Sequence, residues 1–188
     1  MRTFISELEQ HSLVINQLVN CQSAIDEAAQ LLLTTLKQGG KILLCGNGGS
    51  AADCQHIAAE FVVRYENVRK GLAAIALTTD SSILTAHSND FEFETVFSRQ
   101  VEAIGKQSDC LVAISTSGNS KNVVKAAAVA KQLGMSVITL TGGNGGCLQQ
   151  YSTVSVKVPS LVTARIQEAH ILIGHWWCAL VEDSLSEE

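Results

Sequence analysis

A chain of 188 residues, 46% hydrophobic and 16% charged, has the balance of one globular core and excludes a largely disordered chain. Thirteen Lys and Arg against 18 Asp and Glu give a formal net charge of −5 with no basic run, which argues against binding nucleic acid through its phosphates. No apolar stretch reaches membrane-spanning length, residues 1–7 lack a signal-peptide pattern, and the six cysteines include no Cys-x-x-Cys pair. Buried free thiols in a reducing cytoplasm, with no membrane partner, are therefore expected.

Residues 3–20 read as a helix whose apolar stripe is interrupted by His11, Ser12 and Asn16. Ile25, Ala28, Ala29, Leu32, Leu33 and Leu36 fall at helical spacing, and Gly39-Gly40 ends that run. These N-terminal helices, about 1–38, would cap the domain or pack against another subunit. Ile42 to Cys45 is an unbroken apolar run, the pattern of a strand covered on both faces. Gly46-Asn47-Gly48-Gly49 follows, with Ser50 as the expected cap of the next helix. A glycine turn leading into a helix N-terminus favours an anion. His56 and Glu60, four residues apart on that helix, share one face about a turn further on.

Leu72 to Leu77 reads as a second strand, followed by the small polar cluster 78–82. A helix is expected from Ile83 to His87, broken at Ser88-Asn89-Asp90, and another over Val96 to Ile104. Cys110 to Ile114 is the third strand. Ser115-Thr116-Ser117-Gly118-Asn119-Ser120 then leads into an alanine-rich helix ending at Leu133. Ser136 to Leu140 is the fourth strand, 142–146 a glycine-rich loop, and Val154 to Val158 an alternating edge strand. Pro159 leads into a final helix over about 160–181.

Strands alternating with helices predict a single α/β domain over 1–188: a doubly wound, five-stranded parallel sheet flanked by helices, the N-terminal helices added to an α/β core at about 39–188. Ligands of such folds lie at the carboxyl ends of the strands. The loop 115–120 offers four hydroxyls where a helix cap needs one, which suits a phosphate ester. The Gly-Lys-Ser/Thr of a nucleotide P-loop and the dinucleotide glycine fingerprint are both absent.

Cys-Gly-Asn-Gly-Gly-Ser (45–50), Ile-Ser-Thr-Ser-Gly-Asn-Ser (114–120) and Ala-Arg-Ile-Gln-Glu-Ala-His (164–170), in this order over nearly the whole chain, resemble the sugar isomerase (SIS) family. Within it, His56-x-x-x-Glu60, Asn89-Asp90, Gln167 and His175 are similar to the phosphoheptose isomerases. The resemblance implies an aldose-ketose isomerase that converts sedoheptulose 7-phosphate to D-glycero-D-manno-heptose 7-phosphate through an enediol. That is the first step of ADP-heptose synthesis for the lipopolysaccharide core.

It also implies that Ser115, Thr116, Ser117 and Ser120 hold the phosphate, that Asn47, Gly48, Gly49, Glu60 and Gln167 line the substrate, and that Asn89 and Asp90 meet sugar hydroxyls. Glu60 is the implied base at carbon and His175 its acid/base partner. His56, Glu60, Gln167 and His175 are the implied zinc ligands, one ion per subunit of a homotetramer. Imidazole and carboxylate at i, i+4 share an ion readily. Gln167 and His175 are eight residues apart, about 12 Å along an ideal helix, so both serve one ion through long side chains, a later helix start or different subunits. Ala164 stands where some relatives carry an acid. The competing class is a non-catalytic SIS protein that binds a phosphosugar or the replication initiator; Glu60 and His175, which the initiator-binding group lacks, favour chemistry. His11 and His87 are expected at the surface or as caps, and Arg64 and Arg69 as phosphate-reaching or solvated helix-end charges.

Overall fold

The computed structural model describes residues 1–186. Two helices, α1 (Phe4–Gln17) and α2 (Gln22–Lys37), precede β1 (Ile42–Cys45), α3 (Gly49–Val62), β2 (Ala74–Ala76), α4 (Ser81–Asp90) and α5 (Val96–Ile104). Then come β3 (Cys110–Ile114), α6 (Lys121–Gln132), β4 (Ser136–Gly142), β5 (Val154–Val158) and α7 (Thr163–Ser186). The sheet runs β2-β1-β3-β4-β5 with every pairing parallel, so the doubly wound α/β fold expected from the sequence is the one observed.

The apolar runs of the central strands have a direct cause. Ile42 and Leu44 point into a core shared with α2, α3 and α7, while Leu43 and Cys45 point into a second core with α5 and α6. Leu111 and Val112 divide in the same way along β3. With both faces covered, neither strand has a solvent side on which to place a polar residue. Trp177 anchors the first core, fully buried, with its Nε1–H donating to the Ile25 carbonyl at 3.0 Å. Arg165 joins α7 to α1 by donating to the Glu7 carbonyl at 2.7 Å, and His11 meets Glu168 across the same seam at 2.8 Å.

Several sequence expectations need correction. Ser50 does not cap α3: Gly48, at φ +55°, is the N-cap residue, and Ser50 is buried inside the first turn. The helix α4 begins earlier and is unbroken through Ser88-Asn89-Asp90, because Asp80 caps it through the Ile83 N–H and Ser88 turns its hydroxyl onto the Leu84 carbonyl. A 3₁₀ turn over Gly146–Tyr151 was not foreseen. His87 is buried, with Nε2 at 2.8 Å from Thr95 Oγ1. Cys45, Cys54, Cys110 and Cys178 are buried free thiols as expected, but Cys147 is exposed. Among the described residues no helix is long and apolar enough to cross a membrane.

Candidate active site

In this strand order the crossovers leave β1 and β3 in opposite directions, which opens a crevice between their carboxyl ends. The two loops singled out in the sequence, 46–49 and 115–120, follow those two strands and form its walls. Between them lies a cavity of about 260 Å³. Asn47, Gly48, Gly49 and Ser50 line one side, Ser115, Thr116 and Ser120 the other, and Thr163 and Gln167 of α7 close it. The N-termini of α3, α6 and α7 all border this space, and among the described residues no Lys or Arg lines it. Aligned peptide dipoles, hydroxyls and amides therefore supply its positive character.

The serine loop is shaped by its own bonds. Ser115 and Ser120 share a hydroxyl–hydroxyl bond at 2.9 Å, which closes the loop across its mouth. Asn119 accepts the Cys147 N–H at 2.9 Å, and the Leu148 N–H donates to the Gly118 carbonyl at 2.9 Å, docking this loop onto the turn after β4. Ser117 turns away from the 260 Å³ cavity. It lines a neighbouring one of about 370 Å³ with Thr116, Gly142, Gly143 and Asn144. A Cβ at Gly49 would stand 2.6 Å from Nε2 of Gln167, so a larger residue there would push the Gln167 side chain aside.

A second constellation sits further along the same pair of helices. His56 Nε2 lies 3.3 Å from Glu60 Oε1 and 3.2 Å from His175 Nε2, with the two imidazoles edge to face. The Tyr65 ring lies over His175 at 5.7 Å between centroids. Asp53, one turn before His56, has an oxygen buried without a partner; burial raises its pKa, and the neighbouring His56 and His175 oppose the rise. Helices α3 and α7 pack side by side, Gly49 against Gln167 at one end and Ile57 against Gly174 near the other. Gln167 therefore belongs to the cavity end of the helix pair and His175 to the triad end, as the eight-residue spacing requires. Among the described residues no group of three or more His, Cys, Asp or Glu side chains is placed so as to hold a metal ion. Asn89 and Asp90 end α4, exposed and hydrogen-bonded to each other at 2.8 Å, outside the cavity lining.

The loop carrying Tyr65 is held by a buried charge with no signature in the sequence. Glu182 of α7, 1% exposed, accepts the N–H groups of Tyr65, Glu66 and Asn67 at 2.6 to 2.9 Å and pairs with Arg69 Nε at 2.9 Å. Arg69 in turn donates to the carbonyls of Glu60 and Phe61 at 2.8 Å each, so it is a buried cap of α3 rather than a solvated charge. Arg64 donates to the nearby Glu66 carbonyl at 3.2 Å. Burial raises the pKa of Glu182, but the three backbone donors and Arg69 outweigh it, and the carboxyl titrates below its ordinary value.

Glu182→Gln is accordingly expected to cost roughly 3 kcal/mol in denaturant unfolding at pH 7, since it leaves a buried guanidinium uncompensated. Because the folded carboxyl is the stronger acid, its stabilisation is complete above the unfolded pKa, about 4.3, and is lost as pH falls below it. The variant should show a correspondingly shallower acid limb.

The class of protein follows from the match of residues 8–142 to a family model described as the SIS domain. The phosphoheptose isomerase of Rhodospirillum rubrum is 52% identical over 169 residues, covering 90% of each chain, and that of Roseiflexus sp. is 50% identical, covering 100% of this chain and 95% of its own. The structure of phosphoheptose isomerase GmhA from Neisseria gonorrhoeae superposes with a TM-score of 0.88 at 45% identity, covering 94% of this chain and 96% of that one. This chain belongs to the phosphoheptose isomerase family of SIS-domain proteins.

Proposed function

We propose that the protein interconverts sedoheptulose 7-phosphate and D-glycero-D-manno-heptose 7-phosphate, as the family name implies, at the entry to ADP-heptose synthesis for the lipopolysaccharide core. The observation that carries this reading is the cation-free cavity bordered by three helix N-termini and the Ser115, Thr116 and Ser120 hydroxyls. Hydroxyl and amide donors suit a phosphate monoester that must bind and leave.

In the ketose-to-aldose direction a base takes a proton from C1 while the C2 oxygen gains one, giving the 1,2-enediol. A proton then returns to C2 as the C1 hydroxyl gives up its own, leaving the aldehyde. Glu60, half-buried and beside His56, is the base we assign to carbon, and His175 the group that moves protons at the oxygens. Asn47, Gly48, Gly49 and Gln167 then border the sugar near its phosphate. Ser117, Asn89 and Asp90 keep the roles implied by the family only as outer contacts, since they lie off the cavity.

The donor set suits a zinc ion. Two imidazoles with a carboxylate are ordinary zinc ligands, and His56 stands 3.2 Å from His175 and 3.3 Å from Glu60, although the three side chains as placed do not form a ligand set. His56, Glu60 and His175 would hold it, and Gln167 joins them only by spanning two helical turns or from another copy of the chain. Bound there, zinc would polarise a substrate carbonyl. Homotetramer assembly and a cytoplasmic location belong to the same proposal; exposed Phe4, Ile5, Leu8 and Leu13 on α1 and Trp176 on α7 are apolar surface that another copy of the chain could cover.

The test is conversion of sedoheptulose 7-phosphate by purified protein before and after chelation. We expect activity to vanish with chelator and to return with zinc. Activity indifferent to chelator would remove the metal from the mechanism, and a folded protein without turnover would remove the isomerase.

A further inference from the structure

The two walls of the cavity come from loops far apart in sequence, and one buried contact ties them together. Asn122, 4% exposed in the first turn of α6, does not line the cavity. Its Nδ2 donates to Asn47 Oδ1 at 2.8 Å, and Asn47 Nδ2 donates back to Asn122 Oδ1 at 2.8 Å. Such a reciprocal amide pair is symmetrical: turning both carboxamides over would preserve both bonds. A third contact breaks the tie. The Val123 backbone N–H donates to Asn122 Oδ1 at 3.0 Å, and only the oxygen of a carboxamide can accept from a backbone N–H there. The oxygen of Asn122 is thereby fixed, so its nitrogen must meet the oxygen of Asn47. One N–H of Asn47 is used in the pair and the other is left over.

We propose that Asn122 is a positioning residue for sugar-phosphate binding. It sets the polarity of the Asn47 carboxamide, so that Asn47 offers the cavity an N–H and not a carbonyl, and it locks the glycine loop to the serine loop. A carbonyl facing a phosphate would repel it; an N–H attracts it. This rests on the reading of the cavity as the substrate's phosphate end, and it adds a residue that touches no substrate.

The test compares wild type with Asn122→Ala, Asn122→Asp, Asn47→Ala and the double variant Asn47→Ala/Asn122→Ala. Each is assayed for kcat and KM with sedoheptulose 7-phosphate and for the affinity of inorganic phosphate. Asn122→Ala is expected to raise KM and weaken phosphate about tenfold while kcat changes less than about threefold. Asn122→Asp keeps the shape and both acceptor contacts but gives Asn47 Oδ1 no donor and adds a negative charge; it should weaken phosphate further. The double variant should be no worse than Asn47→Ala within about twofold, because Asn122 acts through Asn47. A purely structural role would lower the melting temperature without this KM split.

An unchanged KM in folded Asn122→Ala, or effects that multiply in the double variant, would overturn the inference. Should Asn122→Ala melt below the assay temperature, the isosteric Asp variant carries the comparison on the same criteria. If wild type does not turn the heptulose over, the isomerase reading fails. The positioning role is then judged on phosphate affinity alone, by the same ratios.

Discussion

Glu60→Gln should reduce kcat for sedoheptulose 7-phosphate about a thousandfold, equivalent to about 4 kcal/mol of barrier, with little change in KM. The amide keeps the shape of the side chain and its place on α3 but cannot take a proton from carbon. Glu60 stands outside the 260 Å³ cavity, so phosphate binding should survive the change. Its side chain is 24% exposed, which makes a fold-wide effect small, within about 0.5 kcal/mol of wild type. Steady-state kinetics paired with metal analysis of the purified variant is the check. Loss of rate with zinc retained would assign Glu60 to proton transfer, and loss of both would assign it to the ion. A variant keeping more than a tenth of wild-type kcat would remove Glu60 from the chemistry.

The second large effect belongs to a glycine. Gly118, in the middle of the serine loop, has φ +67°, and a Cβ built there would stand 2.0 Å from the Gly145 carbonyl oxygen. Both costs fall on backbone: the left-handed conformation is strained for alanine, and the obstructing atom is no flexible side-chain end. Gly118→Ala is therefore expected to lose roughly 3 kcal/mol in denaturant unfolding, between strain and displacement of the turn after β4. The loop that moves carries Ser115, Thr116 and Ser120, so KM should rise at least about tenfold as well. Ser117→Ala is the control, because Ser117 lies in the same loop but off the cavity. Equal stability of Gly118→Ala and Ser117→Ala would refute the backbone argument.

How far the sequence revealed this architecture depended on how completely each element is enclosed. The strands β1, β3 and β5 and the helix α5 lie where their patterns placed them, since two-sided burial or a clear apolar stripe leaves no other reading of Ile42–Cys45 or Val96–Ile104. The errors came where local bonds overrode composition. Ser88-Asn89-Asp90 looked like a breaker, yet Ser88 satisfies itself on the preceding turn and the helix continues. The loops that form the cavity were legible because their glycines and hydroxyls are too dense for simple caps. Asn122 was not, because a polar residue in the first turn of a helix is unremarkable until its partner, 75 residues away, is known. Asp53 had a faint signal in its three-residue spacing from His56, and Thr163 had none. The separation of Gln167 from His175 followed from helical rise alone, and the packing of Gln167 on Gly49 agrees with it.

Every strand pairing in this sheet is parallel, so among the described residues no hairpin nucleates it and each contact waits for a crossover to close. The cavity draws on residues 47–50, 115–120 and 163–167, which meet only when β1, β3 and the start of α7 are all in place. On the proposed reading, then, no single segment of the chain supplies the whole phosphate site. Ligand binding is thus a report on the completed fold, and a saturating sugar phosphate stabilises the whole domain through mass action rather than one loop. In a cell the pool of substrate would itself act as a folding partner, shielding the enzyme from turnover for as long as there is work for it.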